Sequence, residues 1–414
     1  MEDTVPSTGT LAVPPLPDFL SAEVAADPYA YYRNLREQAP LLWHEASGTY
    51  LVSRHDDLVR VLRDPAFTTD HYAQSMEPVY GRTIIQMNGH EHAVRRALVT
   101  PAFKGSLFQE RYAAVIERTA RTLIDGFRHR GSVDVVTEFA RVFPVDVICR
   151  MLGFDHADAP KFRTWYRAIV TCFGNLTGDP EIAALGVRTR AEMTDYMVPV
   201  IEDRRRNPRE DLLSDLCVAA ADGEAMDTED IRAFTALLLV AGGETTDKAL
   251  GLVFRNLLAH PEQLAAVRCD PGLVGAVLAE TLRLTPPVQV IQRLASEEAK
   301  LSGGTVPAGS LVTCLIASAN RDPRKFADPE RFDIFRADLA VKKAFTAASD
   351  HLAFSLGRHF CLGAALSLAE VSTAVPMLLA AMPDMRLAPG AEPVEEGLFV
   401  RGLDTLPLEF TAAT

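Results

Sequence analysis

One of the six cysteines in this 414-residue chain has unusual neighbours. Cys361 closes the segment Phe354-Ser355-Leu356-Gly357-Arg358-His359-Phe360 and is followed by Leu362-Gly363 and an apolar run with helical spacing. A cysteine at a helix N-terminus meets unpaired backbone N–H groups and the positive end of the helix dipole, and both favour its thiolate. Gly357 and Gly363 would let the backbone approach a large flat ligand or take a positive φ. A buried cysteine that merely caps a helix fits the same residues.

A second group is Ala241-Gly242-Gly243-Glu244-Thr245-Thr246, set in a stretch that is apolar all round through Leu237–Ala241. An acid and an alcohol are costly in such a helix unless paired or solvated, and the two glycines would weaken its hydrogen-bond ladder and make room for a bound molecule. The alternative is an ordinary helix kink. Glu280 and Arg283 form an i,i+3 pair, which by itself is a common structural device. In Asn88-Gly89-His90-Glu91-His92-Ala93-Val94-Arg95-Arg96, the His-x-His invites a zinc reading, but no third ligand is evident; helical spacing instead puts His92 beside Arg96 at i,i+4.

Taken in order, these segments resemble the cytochrome P450 family. Phe354–Gly363 looks like its cysteine-ligand loop, Phe-Gly-x-Gly-x-His-x-Cys-x-Gly, with Ser355 at the place of the commonest glycine. The resemblance implies that Cys361 ligates the iron of haem b and that Phe354 packs beside the loop. It also implies that His92, Arg96, Arg293 and His359 hold the haem propionates, with Arg95 an alternative to Arg96. The Ala241–Thr246 segment is similar to the family's oxygen-binding groove, formed by Ala241 and Gly242. There Thr245 would hydrogen-bond bound dioxygen and Glu244 would relay protons, two of which are needed to split O–O with loss of water. Glu280 and Arg283, with Arg331 from Asp328-Pro329-Glu330-Arg331-Phe332, would form a buried structural charge network. The resemblance runs from about Asp27 to Arg401-Gly402-Leu403.

These residues need a scaffold, and the patterning describes one that is mainly α with a minor β portion. Helical spacing runs over Pro28–Gln38, His55–Arg63, Glu91–Val99, Gln109–His129, Glu138–Leu152, Asp158–Phe173 and Glu181–Arg206. Thr228–His260 opens on the capping signature Asp227-Thr228-Glu229-Asp230 and is apolar enough to lie at the centre, interrupted at Gly242-Gly243. Gly272–Leu284 stops at Pro286-Pro287, and Leu362–Ala381 is the last helix. Strands and turns concentrate near residues 41–52, 288–314 and 384–412, and Phe67–Asn88 reads as a long irregular loop. We expect residues 1–18, rich in proline, to be disordered and 19–414 to form a single haem-binding domain.

The formal charge of −13, from 42 basic and 55 acidic residues, argues against nucleic acid or an anionic membrane as a general partner. No stretch approaches about 18 uninterrupted apolar residues, no signal peptide is evident, and the cysteines lack a Cys-x-x-Cys pair, which reads as a cytoplasmic protein with reduced thiols. The resemblance implies a monooxygenase that takes O2, an apolar small molecule and electrons from a separate ferredoxin and its reductase. Arg95, Lys104 and Arg358 are candidate cations for docking that donor. Substrate contacts are expected from Ile84, Ile85, Met87, Leu237, Val240, Val290 and Phe399. A peroxide-driven or oxidative-coupling enzyme on the same fold, and a non-enzymatic haem sensor, are the rival readings.

Overall fold

Asp227 starts the central helix: its side chain accepts from the Asp230 amide at 2.7 Å while Asp230 accepts from the Asp227 amide at 3.1 Å. From there Thr228–Ala259 runs unbroken for 32 residues. In the computed structural model, which describes residues 16–103, 106–173 and 179–413, the helices Phe143–Met151, Ala159–Phe173, Pro180–Arg206 and Val274–Leu284 pack around it. Residues 1–15 of the expected disordered lead-in lie outside the described residues, as does Lys104.

The expected interruption at Gly242-Gly243 is absent. A β-carbon on Gly242 would stand 2.5 Å from Ile148 Cδ1, and one on Gly243 would stand 3.0 Å from Val145 Cγ2. The glycines let the Phe143–Met151 helix approach the central helix; close packing, not a kink, explains them. That neighbouring helix is shorter than the expected Glu138–Leu152. A π-turn at Val136–Ala140 precedes it, and Pro144 stands in its first turn, where a missing N–H costs nothing.

Phe67–Asn88 is not an irregular loop throughout. Phe67–Thr68 pairs antiparallel with Leu294 and Ala295, and Tyr72–Tyr80 is helical despite Pro78. The Tyr80 hydroxyl reaches Met76 Sδ at 3.0 Å across one turn. Leu41–His44 and Thr49–Val52 form an antiparallel hairpin in the expected strand region 41–52, and it joins a five-stranded sheet with Leu311–Leu315, Val290–Ala295 and Phe67–Thr68. Arg293 sits on Val290–Ala295, the strand between Leu311–Leu315 and Phe67–Thr68, opposite Val312. A smaller sheet ties Ser132–Asp134 to Arg386–Leu387 and Pro407–Glu409.

The last helix begins at Ala364 rather than Leu362. By length and composition it is apolar enough to cross a membrane, which the sequence reading did not anticipate. It packs on Ser106–Asp125 and Val274–Leu284, with Val371, Ala374, Val375 and Leu378 fully buried.

Candidate active site

A cavity of about 440 Å³ opens between the central helix and the loop ahead of the last helix. Its central-helix face runs through Phe234, Leu237, Leu238, Ala241, Gly242, Thr245 and Thr246, the i, i+3, i+4 recurrence of one helix side. Phe354, His359, Cys361 and Gly363 line the opposite wall, with Arg96, Arg293, Val290, Ile84 and Ile85 around the rim. The expected residues Met87, Val240 and Phe399 do not line it. Val240 falls off the lining face and joins the core, Met87 is buried behind Thr69, and Phe399 packs its ring against Phe19 at 6.4 Å.

The cysteine loop is built by two left-handed residues, Ser355 at φ +60° and Gly357 at φ +67°. A β-carbon on Gly357 would meet the Leu62 carbonyl at 2.8 Å, so that position needs glycine twice over. The loop closes through Cys361 N–H donating to Phe354 O at 2.8 Å. The amides of Gly363 and Ala364 hydrogen-bond the Cys361 sulfur, and these together with Arg96 favour the thiolate, yet burial outweighs them and pushes the thiol up. The helix start therefore does not by itself deliver a thiolate; a cationic ligand on the sulfur would.

Arg96 and Arg293 both reach the cavity, and among the described residues neither forms an ion pair with a carboxylate. Arg96 donates to Phe360 O, and Arg293 to Gln292 O at 2.7 Å and to Ser355 Oγ at 3.5 Å. The rings of His92 and His359 lie 4.3 Å apart, each with a buried Nε2 lacking a partner. Burial holds both imidazoles neutral, His92 at about 4, with nearby guanidiniums adding to the effect. A buried Arg293 and a half-buried Arg96, both carboxylate-free among the described residues, and two orphaned ring nitrogens at one rim are what a dianionic ligand would satisfy. Arg95 turns away: it pairs with Asp230 at 2.8 Å.

On the facing helix, Thr245 donates its hydroxyl proton to Ala241 O at 2.8 Å. Its oxygen lone pairs remain free to accept. Glu244, the residue before Thr245 and not itself in the cavity lining, is held above the ordinary carboxylate range by burial, against the pull of Lys248 and Arg141.

The expected charge network needs one correction. Arg283 grips Glu280 with bonds of 2.7 and 2.8 Å, both side chains fully buried. Arg331 is not the third member: its side chain is 67% exposed, and only its backbone carbonyl accepts from Arg283. Arg336 takes the place, 3.0 Å from Glu280 Oε2 and 6% exposed. Of the proposed docking cations, Arg95 is paired with Asp230, whereas Arg358 donates only to the backbone carbonyls of Asp64 and Phe67, which leave its charge in place.

The sequence reading overlooked Glu370. It lines the cavity, is 1% exposed, hydrogen-bonds Thr246 and keeps Oε1 without a partner; burial raises it well above the usual carboxylate range. A lone acid inside the apolar run Ala364–Ala381 was the available signal.

The family model for cytochrome P450 matches residues 19–270 and 272–382. The chain is 36% identical to pulcherriminic acid synthase of Bacillus subtilis, covering 95% of this chain and 98% of that protein. It is 33% identical to the cytochrome P450 monooxygenase PikC of Streptomyces venezuelae, covering 97% and 96%. The solved structure of cytochrome P450 CYP109Q5 from Chondromyces apiculatus superposes with a TM-score of 0.85 at 34% identity, covering 96% and 98%. This likeness over nearly the whole length, with a cysteine on one wall of the slot, places the chain in the cytochrome P450 family. It is an oxidoreductase of the bacterial P450 monooxygenase class, which implies a haem, a small-molecule substrate, O2 and a redox partner. The residues fit a haem: Cys361 lines the slot, and among the described residues the carboxylate-free Arg96 and Arg293 and the orphaned His92 and His359 could hold its propionates.

Proposed function

We propose that the chain is a cytoplasmic haem-thiolate monooxygenase, with residues 19–414 forming one haem-binding unit. It carries haem b on Cys361 Sγ and inserts one atom of O2 into a C–H or C=C bond of an apolar small molecule. The other atom leaves as water, with electrons from a separate ferredoxin and its reductase. The observation that carries this reading is Cys361 and Thr245 lining one cavity with Arg96 and Arg293, cations with no carboxylate partner among the described residues.

The haem supplies O2 binding and, through the thiolate's electron push, O–O cleavage. The chain supplies the rest. Arg96, Arg293, His92 and His359 orient the cofactor by its propionates. Thr245, its own proton committed to Ala241 O, accepts a hydrogen bond from a group in the groove and holds it there. Glu244, its pKa raised by burial, gives a proton toward that group. Ile84, Ile85, Leu237 and Val290 offer an apolar wall that excludes water and favours an apolar substrate. The acid and alcohol at the groove favour use of O2 over peroxide, which brings its own protons. All six cysteines are free thiols, in keeping with a reducing compartment.

The test is the spectrum of the dithionite-reduced CO complex. The red-shifted Soret band of a thiolate ligand is expected in the wild type and is lost in Cys361→Ala. An unshifted band in the wild type would overturn the reading. Product formed only with O2, NAD(P)H and a ferredoxin pair would then separate it from peroxide-driven chemistry.

A further inference from the structure

One turn beyond Glu244 on the central helix lies a second buried acid that the reading above does not use. Asp247 is 2% exposed, and its Oδ1 has no hydrogen-bond partner. Its Oδ2 stands 3.8 Å from Arg141 Nε, too long for a hydrogen bond and unlike the two-point grip that Arg283 has on Glu280. Arg141 in turn donates through Nη2 to the Asp404 carbonyl at 3.2 Å and to its Oδ1 at 3.5 Å, and Lys248 Nζ approaches the same Oδ1 at 3.6 Å. Asp404 is 67% exposed. These groups run from solvent at Asp404, through Arg141 and Lys248, to Asp247, which feels the charge of Glu244 three residues back on the same helix, next to the cavity-lining Thr245. Tyr166, packed against Gly243, faces both acids.

A residue whose task is to lock the fold should be fully paired and held ionised. Asp247 is the opposite. Burial pushes it up to about 7, Glu244 and Asp404 push the same way, and Lys248 and Arg141 only moderate the rise. It can hold a proton or release it near neutral pH, which is what a relay carboxyl needs.

We propose that Asp247 is the outer carboxyl of a two-acid proton relay, standing behind Glu244 and refilled from solvent at the Arg141–Asp404 mouth. In the step, the O–H bond of the Asp247 carboxyl breaks and its proton forms a new O–H bond on the Glu244 carboxylate. Asp247 is left as a carboxylate beside Arg141 and takes its next proton from water at Asp404. No oxidant or reductant is involved. Asp247 touches neither substrate nor cofactor; it acts through Glu244. The inference rests on the monooxygenase reading and extends it.

The test compares wild type, Asp247→Asn and Asp247→Glu as haem-loaded full chains. The first readout needs no turnover: infrared difference spectra between about pH 6 and pH 8 should show a protonated-carboxyl band that bleaches in the wild type and is absent from Asp247→Asn. The second uses a plant-type ferredoxin with its reductase, NADPH and O2, and measures hydrogen peroxide released per NADPH. In the wild type the peroxide share should rise as pH passes about 7. In Asp247→Asn it should be several-fold higher and flat with pH, and Asp247→Glu should restore the slope. A titrating band that persists in Asp247→Asn, or a peroxide share and pH profile equal to wild type, would overturn the relay while a red-shifted CO spectrum left the monooxygenase reading standing. Loss of that red shift in the wild type would overturn both.

Discussion

Arg336 Nε lies 3.0 Å from Glu280 Oε2, on the carboxylate that Arg283 already holds through two bonds. One buried acid thus anchors two guanidiniums from segments more than fifty residues apart. Arg283 spends its remaining N–H groups on the carbonyls of Asn320, Pro329 and Arg331, and Arg336 pairs again with Asp338 at 2.7 Å. The segment after the Glu-x-x-Arg helix is thereby pinned to it.

Removing one member leaves a buried charge without its partner. Arg336→Met should lower the unfolding free energy by about 3–5 kcal/mol. Arg331→Ala, at an exposed side chain, should change it by no more than about 0.5 kcal/mol. Urea melts of the two variants decide between Arg336 and Arg331 as the third member.

Gly242→Ala sets helix propensity against packing. Alanine gains about 1 kcal/mol in a helix interior, but its methyl would sit 2.5 Å from Ile148 Cδ1, and overpacking costs about 1–3 kcal/mol. Net destabilisation is expected. Adding Ile148→Val, which removes that Cδ1, should recover most of it. A stabilised single variant would show that the two helices can separate freely.

Ser355→Gly should stabilise the cysteine loop by about 1 kcal/mol, since Ser355 is held at φ +60° where an L residue is strained. The long Arg293–Ser355 bond at 3.5 Å is a small loss. Thermal melts check the sign, and the reduced CO spectrum should keep its position.

Arg293→Leu should weaken haem retention by roughly 10–100-fold, the equivalent of losing one charge-assisted hydrogen bond of about 1.5–3 kcal/mol. Haem transfer to an apo-globin acceptor measures this directly. Arg95→Leu, at a residue paired with Asp230 outside the cavity, should leave the transfer rate near that of wild type.

Asp247 also makes stability depend on pH. Its folded pKa of about 7 lies above its unfolded value of about 3.9. The folded state therefore keeps its proton where the unfolded chain has lost it, and stability is lost as pH rises through about 7. Asp247→Asn cannot ionise, so its stability relative to wild type should grow by a few kcal/mol between pH 5 and pH 8. Denaturant midpoints at the two pH values give the answer. A constant difference would mean that Asp247 stays ionised when folded.

Much of this protein could be read from the chain alone wherever the information was local. The cysteine with its glycines, the acid–alcohol pair on an apolar helix and the Glu280–Arg283 turn each occupy ten residues or fewer, and helix spacing is likewise a near-neighbour property. Their order along the chain then pointed to one family, and the matched family model agrees. Gly357 belongs here too, since left-handed backbone restricts residue type at the position itself; that Ser355 shares that conformation came only from the structure.

Tertiary structure decided what depends on distant atoms. Arg331 and Arg336 are five residues apart with the same charge, and only the path of the segment past Glu280 turns one inward and the other to solvent. Gly242 and Gly243 look like helix breakers until the Phe143–Met151 helix occupies the space beside them. The Tyr72–Tyr80 helix holds although Pro78 argues against it, because packing outweighs propensity. Which of Ile84, Met87, Leu237, Val240, Val290 and Phe399 reach the cavity follows from helix phase and loop course, not from their shared apolarity. The same holds for Asp247 and Glu370: an acid's pKa is set by the solvent and charges around it, and those come from elements far away in sequence.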